Sequence, residues 1–147
     1  MATAPPLSRG IRLGSIRGAA IIIQPSTLVM LVILAFIYSS SNDGKVTPHA
    51  FSLGLLLAVL LFVSVFIHEL AHAVAAWGFG RKVSTIVLTL WGGVTSFDAR
   101  DLTPKISGVT AIAGPAANAV VAVAAWTTVQ AGVLSGTTEA VVRWLVW

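Results

Sequence analysis

The stretch FSLGLLLAVLLFVSVFIHELAHAVAAW, residues 51–77, decides how the rest of this chain is read. It is apolar except for Ser52, Gly54, Ser64 and the cluster HELAH at 68–72, and it is long enough for a helix that crosses a bilayer. Glu69 is the only charged side chain between Pro48 and Gly80. An acid inside a membrane helix costs several kcal/mol, so a residue of this kind points to chemistry. His68 and His72 stand four residues apart, one helical turn, so both imidazoles project from one face and can hold one metal ion. Glu69, beside the first histidine, can take a proton from a water on that metal. Imidazole nitrogen suits zinc, whose reactive sites combine three protein ligands with one water. Haem ligation is disfavoured because histidines one turn apart cannot provide two axial ligands. Di-iron chemistry in membranes would need more than the three histidines present.

The whole chain supports a membrane setting. Of its 147 residues, 56% are hydrophobic and 10% charged, whereas a soluble domain carries roughly 25% charged residues. The same numbers exclude intrinsic disorder. There is no cysteine, which removes disulfide frameworks and thiolate catalysis. The net charge of +4 comes from scattered cations flanking apolar runs, a pattern of membrane topology and not of nucleic-acid binding.

Outward from the central helix, residues 1–9 read as irregular and residues 10–24 as one or two short strands. A first membrane helix is expected over 26–40, short of the ~20 residues a full span needs. Its long basic leader, with no A-x-A site after Tyr38, argues against a cleaved signal peptide. Residues 39–48 form a turn-rich loop that contains His49's neighbour Pro48, and His49 itself reads as a solvated loop residue. After the second helix, residues 83–97 (VSTIVLTLWGGVTSF) are β-branched and aromatic and predict a hairpin with Gly92 and Gly93 at a turn or bulge. A third helix is expected over 107–133. The reading is therefore a polytopic α-helical membrane protein, one unit over 1–147, with three transmembrane helices and a small β element.

With three spans, one side of the membrane holds Arg9, Arg12, Arg17, Arg81, Lys82, Arg100 and Lys105, and the other holds Lys45 and Arg143. The positive-inside rule then puts the N-terminus in the cytoplasm. In the third helix Gly114, Asn118 and Ala122 repeat at four-residue spacing, which permits close helix approach against Ala71, Ala75 and Ala76 of the second. Asn118 either hydrogen-bonds a substrate or developing oxyanion near the metal, or joins the two helices. Pro115 is a kink position. Residues 89–94 of the hairpin either capture an unwound peptide by strand addition or cap the helix ends.

Taken together, HELAH at 68–72 late in a membrane helix, Gly92-Gly93 in a following hairpin and GPAAN at 114–118 in the next helix resemble the intramembrane zinc metalloproteases of the site-2 protease family. The resemblance runs over about residues 10–133, and the short 81–106 connection places it with the compact members that lack an inserted PDZ domain. It implies that His68 and His72 bind Zn2+, that Glu69 is the general base, that Asn118 assists, and that the partners are transmembrane protein substrates, such as membrane-tethered regulators, within the bilayer of the cell membrane. The family takes its third zinc ligand from an aspartate in an Asp-Gly pair on a later helix. Here the remaining acids are Asp43, Asp98, Asp101 and Glu139, none in an apolar helix before a glycine. The third ligand is thus expected from outside these 147 residues, on a helix cut away at Trp147, unless the chain is a short relative. The rival reading is an inactive membrane docking protein that keeps the histidine pair; a transporter is weaker, because three spans without paired charges give no translocation path.

Overall fold

A computed structural model describes residues 10–39, 47–89 and 91–131. Leu90 and the segments holding Arg9, Asp43, Lys45, Glu139, Arg143 and Trp147 lie outside the described residues. The element order is β1 (Ile11–Ile16), β2 (Ala19–Ile23), α1 (Pro25–Ser39), α2 (Pro48–Gly78), β3 (Val83–Thr89), β4 (Gly92–Phe97) and α3 (Pro104–Gln130).

The two long helices begin alike, and earlier than their apolar runs imply. Thr47 and Thr103 are the N-caps, each followed by proline in the first turn. The Thr47 hydroxyl accepts from the Ala50 N–H at 3.1 Å and that of Thr103 from the Ile106 N–H at 3.3 Å. A capping hydroxyl and a proline that needs no N–H partner settle the start of a helix before hydrophobicity does. His49 is therefore not a loop residue: it sits in the first turn of α2, exposed. At the other end α2 closes by a Schellman arrangement, with the Arg81 N–H on the Ala76 carbonyl, the Gly80 N–H on that of Trp77, and Gly80 at φ +70°.

The N-terminal segment contains two strands, and they are not a separate element from the later hairpin. β1 and β2 pair antiparallel through a two-residue turn at Arg17 and Gly18, both with positive φ. β2 then pairs parallel with β3, and β3 antiparallel with β4, giving one four-stranded sheet in the order β1-β2-β3-β4. Its inner face packs on the C-terminal half of α2, where Ala19, Val83 and Ile86 meet Ala73 and Ala76. Ala76 thus faces the sheet, not α3 as its spacing had implied. The start of α1 is tied to the same sheet, since the buried Thr27 hydroxyl donates to the Leu88 carbonyl at 3.0 Å.

Two helices, α2 and α3, are long and apolar enough to cross a membrane, while α1 is shorter. Ile112, Val120 and Val123 on α3 and Val29 and Ile37 on α1 are exposed. In a soluble domain such residues would form the core; here they cover the outside.

Candidate metal centre

His68 and His72 come from successive turns of α2, with ring centroids 4.8 Å apart and planes at 81°. Both Nε2 atoms are turned towards Gly114 of α3, where a side-chain Cβ would stand 2.5 Å from each. Only glycine leaves that space open. The Nδ1 of His72 lies 2.6 Å from the Thr110 carbonyl oxygen. A carbonyl can only accept, so the proton resides on Nδ1 and the Nε2 lone pair is available to a metal.

Glu69 is 6% exposed, the one buried charged side chain among the described residues. It is clasped by β4. The Thr95 hydroxyl is 2.7 Å from Glu69 Oε2 and 2.9 Å from the Glu69 carbonyl oxygen, so its single proton serves one or the other. Gly93 lies directly under the carboxylate, and a Cβ there would overlap Glu69 Cγ and Cδ. Gly92 has φ +131° at the start of the strand, a conformation that favours glycine. The expected Gly92-Gly93 pair thus serves two purposes: the first residue lets the strand turn, the second makes room for the acid.

The donor atoms of His68, Glu69 and His72 all lie within 4.8 Å of one another, and this is the metal-capable cluster among the described residues. Two imidazole Nε2 atoms turned to one spot, the tautomer of His72 fixed by the Thr110 carbonyl, and a nearby carboxylate fit Zn2+. Beside it opens a cleft of about 350 Å³ between β4 and α3, with Glu69, His72, Gly93, Thr95 and Thr110 on its walls.

Asn118 faces α2, one turn beyond Gly114. Its Oδ1 is 3.5 Å from the Ser64 hydroxyl, which donates to it. The seam therefore pairs Thr110 with His72, Gly114 with both histidines, and Asn118 with Ser64. The small-residue face runs through Thr110 and not onward to Ala122, which is exposed. Sequence spacing passed over Thr110 and Thr95, although Thr110 continues the Gly114–Asn118 interval in the other direction. Of the loop acids, Asp98 and Asp101 stand in the β4–α3 connection. Asp98 pairs with Arg100 at 2.9 Å, and that guanidinium holds its carboxyl down from 3.8 to about 2.

Comparison with known proteins agrees with this geometry. Residues 56–144 match the model of "Peptidase family M50". The chain is 36% identical over 121 residues to a "Putative zinc metalloprotease" of Synechocystis sp., covering 78% of this chain and 31% of that one. It is 37% identical over 110 residues to the "Putative zinc metalloprotease Rip3" of Mycobacterium tuberculosis, covering 72% of this chain and 28% of that one. The chain thus spans under a third of the length of these curated relatives. The solved site-2 protease from Methanocaldococcus jannaschii superposes with a TM-score of 0.60 and 28% identity, over 82% of this chain and 51% of that one. With a family match over more than half its length and a zinc-compatible His-Glu-His cluster, this membrane protein belongs to peptidase family M50.

Proposed function

We propose that the chain carries the catalytic helices of a zinc-dependent protease that cuts transmembrane protein substrates within the bilayer. The observation that carries this reading is the buried Glu69 set between His68 and His72, with all three donor groups inside 4.8 Å. His68 and His72 would hold Zn2+ through the Nε2 atoms that face the space at Gly114, with a third ligand from outside the described residues. Zinc, when bound, supplies the Lewis acidity that brings water's pKa towards ~7. Glu69 accepts the proton of the attacking water and returns it to the amine nitrogen as the peptide C–N bond breaks. Thr95 keeps the carboxylate oriented while this happens. Because Ser64 occupies Asn118 Oδ1, the Asn118 amide N–H groups remain donors for a substrate carbonyl or its developing oxyanion.

A helical substrate hides its carbonyls, so it must be extended before attack. β4 ends the sheet, with no further strand paired to its outer edge among the described residues. The tip of this hairpin shares a small apolar cavity with Leu61, Phe62 and Val65, midway along α2. Val65 lies thirteen residues before Gly78, about 20 Å along the helix. At that depth an open strand edge is tolerated only against protein or water. Strand addition by the unwound substrate along β4, where Gly93 lies against the acid, meets that requirement.

The sheet-side end of the molecule bears Arg17, stacked 5.6 Å from the Trp77 ring, together with Arg81 and Arg100. By the positive-inside rule this end, and the N-terminus with it, is cytoplasmic in a multi-pass cell-membrane protein. The test is metal content beside hydrolysis in the full-length protein. His68→Ala or His72→Ala loses most of the zinc, whereas Glu69→Gln keeps about one zinc per chain and abolishes cleavage. A docking protein would show no cleavage to abolish.

A further inference from the structure

The α2–α3 seam leaves one polar group out of account. Thr110 is 4% exposed, and its Oγ1 is the buried side-chain oxygen without a hydrogen-bond partner among the described residues. An unpaired buried hydroxyl is destabilising, and threonine in a helix ordinarily avoids it by bonding back to the preceding turn. Thr127 and Thr128 of the same helix do so, both donating to the Ala124 carbonyl. Thr110 does not.

Its position gives the reason. Thr110 lines the cleft opposite Gly93 and Thr95 of β4, one residue from Ala111, which also lines it. Ala111 has its own irregularity: Pro115, four residues on, has no N–H to give its carbonyl. A peptide added to the outer edge of β4 satisfies half of its backbone groups on the strand. The N–H and C=O groups of its far edge then point towards α3, where the membrane offers no water to solvate them.

We propose that Thr110 is a substrate-positioning residue whose hydroxyl pairs with a backbone amide on the far edge of the peptide bound along β4. The interaction reads main chain, so it fits extended segments of varied side-chain sequence. The hydroxyl is buried and unpaired in the free protein, so it reaches the peptide by turning about its Cα–Cβ bond into the cleft that Thr110 lines, with no hydrogen bond to give up. This inference rests on the proteolytic reading above and on strand addition at β4.

The experiment uses the full-length protein in detergent micelles with a cleavable transmembrane substrate, comparing Thr110→Val, Thr110→Ser and Glu69→Gln. Valine matches threonine in shape and removes the hydroxyl. Its KM is expected to rise about tenfold, the worth of one hydrogen bond of about 1.4 kcal/mol, with kcat within about twofold, since the bond forms equally in ground and transition states. Zinc per chain is unchanged and the thermal midpoint equal or higher, because an unpaired buried hydroxyl has been removed. Thr110→Ser restores the wild-type KM. A valine variant with wild-type KM, or one whose loss tracks lower zinc content or lower stability and is not rescued by serine, overturns the assignment. Glu69→Gln separates the two levels. Inactive Glu69→Gln beside unaffected Thr110→Val removes only the role of Thr110, whereas an active Glu69→Gln removes the protease reading itself.

Discussion

Helix α2 packs against a neighbour on each side, and the two seams are built on the same device for opposite ends. Towards α1, Gly54 meets the Ala35 carbonyl so closely that a Cβ would collide with it, and the Phe36 and Phe51 rings pack tilted at 56° with centroids 5.0 Å apart. Towards α3, Gly114 allows an equally close approach, but what it admits is a pair of imidazole nitrogens. The first seam meets over mostly apolar groups and backbone, and the cavity it shares with the hairpin tip is itself lined chiefly by apolar side chains. The second is kept polar, from the His72–Thr110 contact to the Ser64–Asn118 contact, and beside it a cleft remains. Glycine in a membrane helix thus marks close approach in both places, and only the partner atoms tell structural contact from chemistry.

The sharpest way to break this contrast is the same substitution on both sides. Gly114→Ala is expected to displace both imidazoles, remove most of the zinc and lower hydrolysis at least ~100-fold, the scale of a misplaced reacting group. Gly54→Ala is expected to cost about 1–3 kcal/mol of stability from overpacking while zinc per folded chain stays near the wild-type value. Metal analysis of the two purified variants decides it. Full zinc content in Gly114→Ala would falsify the claim that this glycine holds the metal space open.

A smaller effect is expected where β4 touches the acid. Thr95→Val removes the hydroxyl that steadies Glu69, and should lower kcat about tenfold, in line with one lost orienting hydrogen bond, with zinc unchanged. Steady-state kinetics alongside metal content measures it. A matching loss of zinc would show that Thr95 supports the ligands and not the base.

Orientation can be sharpened without any kinetic assay, because the chain has no cysteine. A cysteine at exposed His49 should be labelled by an impermeant reagent from outside intact cells, and one at Lys82 only after permeabilisation. The reverse pattern inverts the topology and places the cleft nearer the outer face.

The smallest effect belongs to the connector after β4. Asp98, with its carboxyl held at about 2 against an ordinary 3.8, contributes stability above the ordinary value that disappears as pH falls through about 2. The pair with Arg100 is solvent-exposed, so Asp98→Asn should shift the thermal midpoint at neutral pH slightly or not at all. Thermal melts at neutral and acid pH check this; a large neutral-pH shift would mean the connector clamps the α2–α3 seam, through the Arg81 bonds to the Arg100 and Asp101 carbonyls.

Much of the site was legible in residue order because its first requirement is local. Four-residue spacing in a helix brings His68 and His72 together whatever the rest of the chain does, and a lone acid in an apolar run declares itself by its desolvation cost. The Thr-Pro pairs at 47–48 and 103–104 were equally local signals for the helix starts, although the apolar runs drew attention away from them. What sequence could not supply was every relation between segments distant in the chain. That β2 would run parallel to β3, that Gly93 and Thr95 would clasp Glu69, and that Thr110 would receive His72 are matters of register between elements. Register is fixed by which faces pack, here Ala73 and Ala76 under the sheet and Gly114 against the histidines. The histidine pair was therefore written in one helix, but the walls of the cleft beside it exist only where the sheet and α3 close on that helix, because packing distances of a few ångströms depend on all three at once.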